Sequence, residues 1–260
     1  MAVSVDTVYK TVLLVLNKEQ RGLVTPDEFN KTATQVQLDI FEQYFEDLNQ
    51  QFRAPQATVD YSNRQYGLEE KISIFKTEGN CVYSAGKFNL PIVDASGNTV
   101  IYDGTDPVVS TQVAFYKLGT VIYTPPVGYS IELEKVLKHD FYNLLKSDLT
   151  APSENFPIYL YEGKTSTGVK TITVSPSTIT TNIKANFIRK PRNVVWGFST
   201  GSVGQYLYNS FTSTNFELDA SEQVNIINRI LLYSGIIIKD PNIIQVAAAE
   251  IQQSEINKKS

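Results

Sequence analysis

The hydrophobic positions near the start of the chain follow helical spacing. Apolar residues recur there every three or four positions and predict a first helix over residues 4–17. Thr25, Pro26 and Glu28 then form a capping box with a proline at the first helical position, which predicts a second helix ending near Phe52. At about 1.5 Å per residue, this second helix would be roughly 40 Å long.

The tail of the chain returns to helical spacing. Asp219 and Glu222 predict the start of a helix that runs to about Ile237, and Pro241 opens a last helix. Some isoleucines of the last helix are candidates for docking onto another subunit, the alternative being that they belong to the protein's own core. These candidates are Ile243, Ile244 and Ile251.

The middle of the chain favours strands separated by turns, because β-branched and aromatic residues cluster between Gly, Pro, Asn and Asp. The candidate strands lie at residues 72–75, 81–88, 99–102, 112–123, 158–161, 169–174, 182–188 and 194–196. A further helix is predicted near residues 130–146, where apolar residues again follow helical spacing.

These elements predict an α+β fold in which both ends form a helical body and the middle forms antiparallel, sandwich-like sheets. We divide the chain into a helical region, a first β section, a mid-chain helix, a second β section and the returning helices. Their bounds are 1–69, 70–128, 129–150, 151–218 and 219–260.

Composition excludes several function classes. Cys81 and His139 are the only residues of their types, so an internal disulfide and a zinc site of the usual Cys/His type are excluded. The isoelectric point near 5.2 argues against binding of nucleic acid by charge. The longest apolar run, residues 230–238, is far shorter than the roughly 20 residues that span a bilayer. We therefore expect no enzyme activity, no catalytic residue, no cofactor or metal, no targeting segment and no contact with a membrane.

The net charge of −4 is distributed unevenly. Acidic residues dominate the second helix, which favours either a solvated face or a surface turned toward a basic partner or an aqueous channel. A short basic stretch favours either solvated strand ends or a patch that docks on an acidic surface, such as the second helix of a neighbouring copy, or on the phosphates of passing nucleic acid. The candidate contacts are Asp39, Glu42, Glu46 and Asp47 in the helix, and Lys184, Arg189, Lys190 and Arg192 in the basic stretch.

Three stretches of the chain together resemble a known family. They are residues 17–29 running into 40–45, residues 146–152 continuing through 156–159, and residues 183–191, which end in Phe-Ile-Arg-Lys-Pro. This order is similar to that of neck proteins, also called head-to-tail connector or ring proteins, of tailed bacteriophages, especially the crAss-like phages.

The resemblance implies a virion protein, made in the cytoplasm of a host bacterium, that forms a ring below the portal. Such rings usually contain twelve copies, contact the portal and other neck and tail proteins, and let DNA pass without specific binding. The family places a helical body around a β-rich extension. No functional residue is carried over from it.

Two other hypotheses remain open. A β-rich module that binds carbohydrate on a host surface predicts an exposed aromatic platform around Trp196, Tyr206 and Tyr208. A hydrolase that uses carboxylates distant in sequence predicts an open pocket with two converging acids.

Overall fold

The computed structural model describes residues 3–18, 24–53, 59–103, 111–165, 168–202, 204–238 and 241–259. It confirms the mixed α+β fold, with helices at both ends and a β-rich middle. The chain divides into two compact units. The helical unit combines Met1–Ile74 with Pro191–Ser260, and the sandwich unit is Phe75–Lys190.

Six α-helices lie in the described residues. They are α1 (Val5–Lys18), α2 (Pro26–Arg53), α3 (Val59–Ser73), α4 (Lys138–Leu144), α5 (Gln223–Ile238) and α6 (Pro241–Lys259). None of them, over the part of the chain that is described, combines the length and apolar character needed to cross a membrane.

Twelve strands lie in the same residues. They are β1 (Lys76–Asn80), β2 (Val82–Ser84), β3 (Lys87–Asn89), β4 (Thr99–Ile101), β5 (Gln112–Tyr123), β6 (Ile131–Glu132), β7 (Glu134–Val136), β8 (Ile158–Lys164), β9 (Lys170–Ser175), β10 (Ile183–Arg189), β11 (Phe198–Thr200) and β12 (Tyr206–Tyr208).

The start of α2 is fixed by the predicted capping box. The backbone N–H of Thr25 donates to Glu28 Oε2 at 2.9 Å, and the N–H of Glu28 donates back to Thr25 Oγ1 at 3.4 Å. Because the Glu28 carboxylate accepts hydrogen bonds from Thr25, its pKa lies below the ordinary value. The sequence therefore placed this helix start correctly.

In the helical unit, α5 packs against α1, α2 and α6, and α2 also packs against α3. The apolar stripes of α1 and α2 contribute to its core, as their spacing predicts, and α5 contributes Ile226 and Ile230. Its fully buried residues include Val8, Val12, Leu16, Phe29, Val36, Ile226 and Ile230.

In the sandwich unit, two sheets share one core. The first has the order β1-β10-β5-β4, with β6 also paired to β5, and the second has the order β2-β3-β9-β8-β7. Most neighbours are antiparallel, whereas β4–β5 and β7–β8 are parallel. Both sheets contribute to the core, which includes Phe88, Val113, Phe115, Val121, Tyr159, Ile172, Ile183 and Phe187.

Several predicted elements are wrong. Residues 131–136 form β6 and β7 instead of helix, so the mid-chain helix is the seven-residue α4. The reason is tertiary: β6 pairs with β5, and β7 pairs with β8. Residues 194–196 contribute one isolated bridge, from Val195 to Thr214, instead of a strand.

The helix α3 covers residues that the sequence left without an element or gave to a strand. Its weak apolar pattern is supplemented by a buried ion pair, in which Lys71 Nζ donates to Glu222 Oε1 at 2.6 Å. Glu222 is buried, and Asn225 donates to its second carboxylate oxygen at 3.0 Å. This pair attaches α3 to the turn before α5.

Candidate assembly surfaces

The four acidic candidates on α2 have different surroundings. Glu42 and Glu46 are exposed and lie one helical turn apart on the same face. Asp39 is half-buried and accepts a hydrogen bond from the Tyr233 hydroxyl at 2.8 Å, which raises the pKa of that hydroxyl. Asp47 is also half-buried. Of the four candidates, Glu42 and Glu46 are therefore the two that α2 presents to solvent.

Three of the basic candidates lie on or beside β10 in the sandwich unit. Lys184 is exposed, with its Nζ 3.8 Å from Glu78 Oε1. The Arg189 guanidinium lies 5.8 Å from the centre of the Phe75 ring, and Lys190 is half-buried. These side chains are spread along a strand and its end instead of forming one compact basic patch.

Arg192 lies in the helical unit and has an internal partner. Its Nε is 3.9 Å from Glu217 Oε1, and its backbone N–H donates to Glu217 Oε2 at 2.9 Å. Charge reversal at Arg192 would break this internal pair. The Lys184 side chain is 49% exposed against 24% for Arg192, so Lys184 is the better position for testing a contact with an acidic neighbour.

The three isoleucine candidates lie on α6. Ile244 and Ile251 are half-buried, whereas Val246 is exposed and Ala247 is buried. The side chain of Ile243 lies outside the described residues. Because α6 packs against α5, this helix contributes to the core of the helical unit as well as to its surface.

Polar side chains of α2 hold an extended segment of the helical unit. Asn30, Thr34 and Gln37 are spaced at i, i+4 and i+7, so they share one face of the helix. Their backbone partners occupy alternate positions of the extended segment, namely Arg192, Val194 and Trp196. Side chains that lie about one helical turn apart on α2 thus reach every second residue of the extended segment.

Gln37 and Asn30 both make short hydrogen bonds. Gln37, which is fully buried, donates to the carbonyl of Arg192 at 2.7 Å and accepts from the backbone N–H of Glu217 at 2.8 Å. Asn30 accepts from the N–H of Trp196 at 2.7 Å. We call residues 191–197 the strap, because the bonds at Arg192, Val194 and Trp196 hold it along α2.

Trp196 anchors the strap in the core. Its side chain is 4% exposed, and its ring lies 4.4 Å from that of Tyr9, measured between ring centres. The indole N–H donates to Asp6 Oδ1 at 3.1 Å. Trp196 therefore does not belong to an exposed platform, contrary to what the carbohydrate hypothesis predicted.

The hairpin of β11 and β12 presents apolar side chains above this anchor. The Phe198 ring stacks 6.0 Å from Trp196, and Tyr208 lies 5.8 Å from it. We define the hairpin surface by the exposed large apolar residues of this hairpin and the turn after it, which are Phe198, Tyr206, Leu207, Tyr208 and Phe211. Phe211 is 98% exposed, an unusual state for so large an apolar side chain.

Gly197 is required where the strap turns into the hairpin. A Cβ at this position would lie 2.1 Å from Thr212 Oγ1 and 2.7 Å from the Thr212 carbonyl carbon. The N–H of Gly197 also donates to Ser213 Oγ at 2.9 Å. The base of the hairpin is therefore closely packed.

A second apolar surface lies on the sandwich unit. The inner face of α4 contributes buried Phe141 and half-buried Leu144, which pack against Ile158 and Leu160 of β8. The residues around it leave further apolar side chains exposed, and we define these as the α4 surface. They are Leu137, Tyr142, Leu145, Leu149 and Phe156.

The surroundings of His139 and Cys81, the residues with catalytic potential, favour structural roles. His139 is exposed on α4 beside Asn143, with 3.1 Å between their side-chain nitrogens. Burial raises the pKa of the Cys81 thiol to about 12, so the reactive thiolate is disfavoured near neutral pH. Within the described ranges, His, Cys, Asp and Glu form no group of three or more that could hold a metal ion.

Two carboxylates line an open cleft of about 510 Å³ beside β1, but each has an internal role. The Asp94 carboxylate accepts from the backbone N–H groups of Ser96 and Asn98 at 3.0 and 2.7 Å, closing a turn. Glu78 pairs with Lys184. The arrangement supports a structural role for both acids.

No protein-family model matches the chain, and no curated protein is significantly similar to it in sequence. The exposed surfaces are thus the features of the molecule from which a function can be inferred.

Proposed function

We propose that this protein is a virion structural protein that forms a ring in the head-to-tail connector of a tailed bacteriophage. In this role it continues the DNA channel below the portal and joins the capsid to the tail. Its partners are further copies of itself, about twelve to a ring, together with the portal and other neck and tail proteins. It is made in the cytoplasm of the host bacterium and functions in the neck of the virion.

The observation that carries the proposal is the presence of two different exposed apolar surfaces, one on each compact unit. A ring forms when one surface of a subunit binds a different surface of the next, and the rotation closes. The hairpin surface and the α4 surface supply such a non-identical pair. Large exposed apolar side chains of this kind mark sites of protein–protein contact.

The charge distribution supports a channel through which DNA passes without binding. Glu42 and Glu46 present negative charge on α2, and the chain is acidic overall, with a net charge of −4. Arg192 is already paired internally with Glu217, and Lys184 lies near Glu78. A wall with this balance repels phosphates, in contrast to the basic surface of a DNA-binding protein.

Electron microscopy of the purified protein, alone and mixed with portal rings, tests this proposal. We expect ring-shaped particles with rotational symmetry that stack on the portal. Particles of the 29.1 kDa monomer alone, in both samples, would contradict it.

A carbohydrate-binding role is the second candidate, and the aromatic hairpin favours it. Phe198, Tyr206 and Tyr208 are exposed and lie beside uncharged Ser, Thr, Asn and Gln side chains. Aromatic faces of this kind can stack against sugar rings. Binding to a glycan array that is lost in Tyr206→Ser, with ring formation absent, would favour this candidate over the ring.

A further inference from the structure

The hairpin surface lies in a part of the chain that carries no charge. Residues 193–216 contain no Asp, Glu, Lys, Arg or His over 24 positions. At the overall charged fraction of 19%, about four or five charged residues would be expected there. Depletion of charge with enrichment of aromatic residues is typical of the buried centre of a protein interface.

This composition restricts the partner. A surface without Lys or Arg cannot neutralise phosphates, so nucleic acid and anionic lipid headgroups are poor partners. A strongly charged protein surface is also disfavoured, because its charges would be buried without partners. The partner that fits is an apolar protein surface with little net charge.

The hairpin surface is also held in place before binding. The strap beneath it is bonded to Asn30, Thr34 and Gln37, and Trp196 is fixed by Asp6. Tight packing at Gly197 limits movement at the base of the hairpin. A surface that is already ordered loses less conformational entropy on association.

The α4 surface has the properties required of the partner. Leu149 is 95% exposed and Phe156 is 79% exposed, so their apolar area is available to a second molecule. The outer side of α4 itself is mostly polar, with Lys138, His139 and Asn143 exposed beside Tyr142. The apolar area therefore comes from Tyr142 together with Leu137 and Leu145 at the helix ends and with the loop that follows. The charged residues of segment 137–156 nearly cancel, with two bases and three acids.

We propose that the hairpin surface of one copy of this chain binds the α4 surface of the next copy. The proposal rests on the ring function and names the two surfaces that make its repeating contact. One head-to-tail contact covers both apolar surfaces of every copy at once, and repetition of that contact closes a ring. The near-neutral charge of the α4 surface matches the uncharged hairpin surface, and its Lys and Asp side chains suit the polar rim of the contact.

Two variants of the full chain test the pairing. Phe211→Glu alters the hairpin surface, and Leu149→Glu alters the α4 surface, each at a side chain so exposed that folding is preserved. Each variant alone should lose ring assembly, with the contact weakened at least about 30-fold, because every contact in the ring needs one surface of each kind. Val127→Glu is the matched control, since Val127 is 90% exposed and the variant places the same charge at an apolar position outside both surfaces.

Mixing the two variants gives the decisive result. The intact hairpin of Leu149→Glu can bind the intact α4 surface of Phe211→Glu, so we expect heterodimers in the mixture and no ring. Native mass spectrometry of differently tagged chains measures these species. Wild-type rings combined with a mixture that gives no heterodimer would overturn the pairing while leaving the ring function intact.

Cysteine cross-linking supplies a second readout. Oxidation of a mixture of Phe211→Cys and Leu149→Cys chains should give disulfide-linked heterodimers, and the raised pKa of Cys81 keeps that thiol from competing. Homodimers of the Phe211→Cys chain would instead indicate a hairpin-to-hairpin contact and contradict the proposal. Wild-type protein that stays monomeric at all concentrations would contradict the ring function itself.

Discussion

The sandwich unit and the helical unit differ in how the backbone groups of their extended segments are hydrogen-bonded. In the sandwich unit, β10 lies between β1 and β5 and exchanges hydrogen bonds with both. In the helical unit, residues 192–196 receive their bonds from side chains of α2. A strand shares its bonds among many equivalent backbone groups, whereas the strap depends on three particular side chains.

This difference determines where each unit is sensitive to substitution. The stability of the sandwich unit depends on the volume of its buried apolar side chains, because its strands supply backbone hydrogen-bond partners whatever side chains they carry. The helical unit depends in addition on the identity of polar residues on one face of α2. The hairpin surface is held by that second kind of interaction, so its position depends on polar residues that lie far from it in sequence.

The largest effect is expected from loss of core volume in the sandwich unit. Phe187 is buried on β10, with its ring 5.4 Å from that of Phe115. Phe187→Ala should lower the free energy of unfolding of this unit by about 3–5 kcal/mol. Hydrogen exchange of the β5 and β10 amides measures the change, and Val82→Ala, at an exposed position of β2, is the control. Equal protection in the two variants would show that the core was assigned incorrectly.

A smaller but more specific effect is expected at Gln37. Gln37→Leu keeps a similar side-chain volume but leaves the carbonyl of Arg192 and the N–H of Glu217 without their partner. The expected loss is about 2–4 kcal/mol, since each unsatisfied buried group costs roughly 1–3 kcal/mol. Chemical denaturation of this variant is compared with that of Gln35→Leu, an exposed change on the same helix. If both variants lost the same stability, the strap would not depend on the helix side chains.

The smallest effect is expected at the start of α2 and depends on pH. The pKa of Glu28 is lowered in the folded protein, so the charged cap stabilises the fold above the ordinary pKa near 4.5. This contribution is lost as the pH falls through the lowered pKa. Thermal unfolding midpoints of wild type and Glu28→Gln should therefore differ near pH 7 and converge near pH 2. A difference that stayed constant with pH would rule out the charge of Glu28 as its source.

Local patterns predicted the elements that depend on short-range interactions. The capping box at Thr25 fixed the start of α2, and the strands β5, β8, β9 and β10 lie close to their predicted positions. In each case the residues that define the element are its own or its immediate neighbours. Such elements can therefore be predicted from a single sequence.

Elements that depend on distant partners were missed. Ile131 and Leu133 fit helical spacing when grouped with later residues, but pairing with β5 and β8 draws this segment into strands. The helix α3 depends on Lys71 reaching Glu222, 151 positions away in sequence. The polar residues Asn30, Thr34 and Gln37 were visible on one helix face, yet nothing local indicates that they bind a strap.

The charge and exposure of surface residues likewise depend on partners that are distant in sequence. The charge asymmetry between α2 and residues 184–192 was evident from the sequence, but the internal pairing of Arg192 with Glu217 was not. The absence of charge over residues 193–216 is visible in the sequence, but it points to a surface only once the hairpin is known to be exposed. The exposure of Leu149 and Phe156 depends on what the rest of the sandwich unit leaves uncovered.

The mass of the assembled wild-type protein tests the central claim most directly. We predict one closed oligomer, near twelve times 29.1 kDa, whose mass in native mass spectrometry stays constant as the protein concentration rises. A monomer at every concentration, or a ladder of sizes that grows without limit, would contradict the account of a ring closed by two different surfaces.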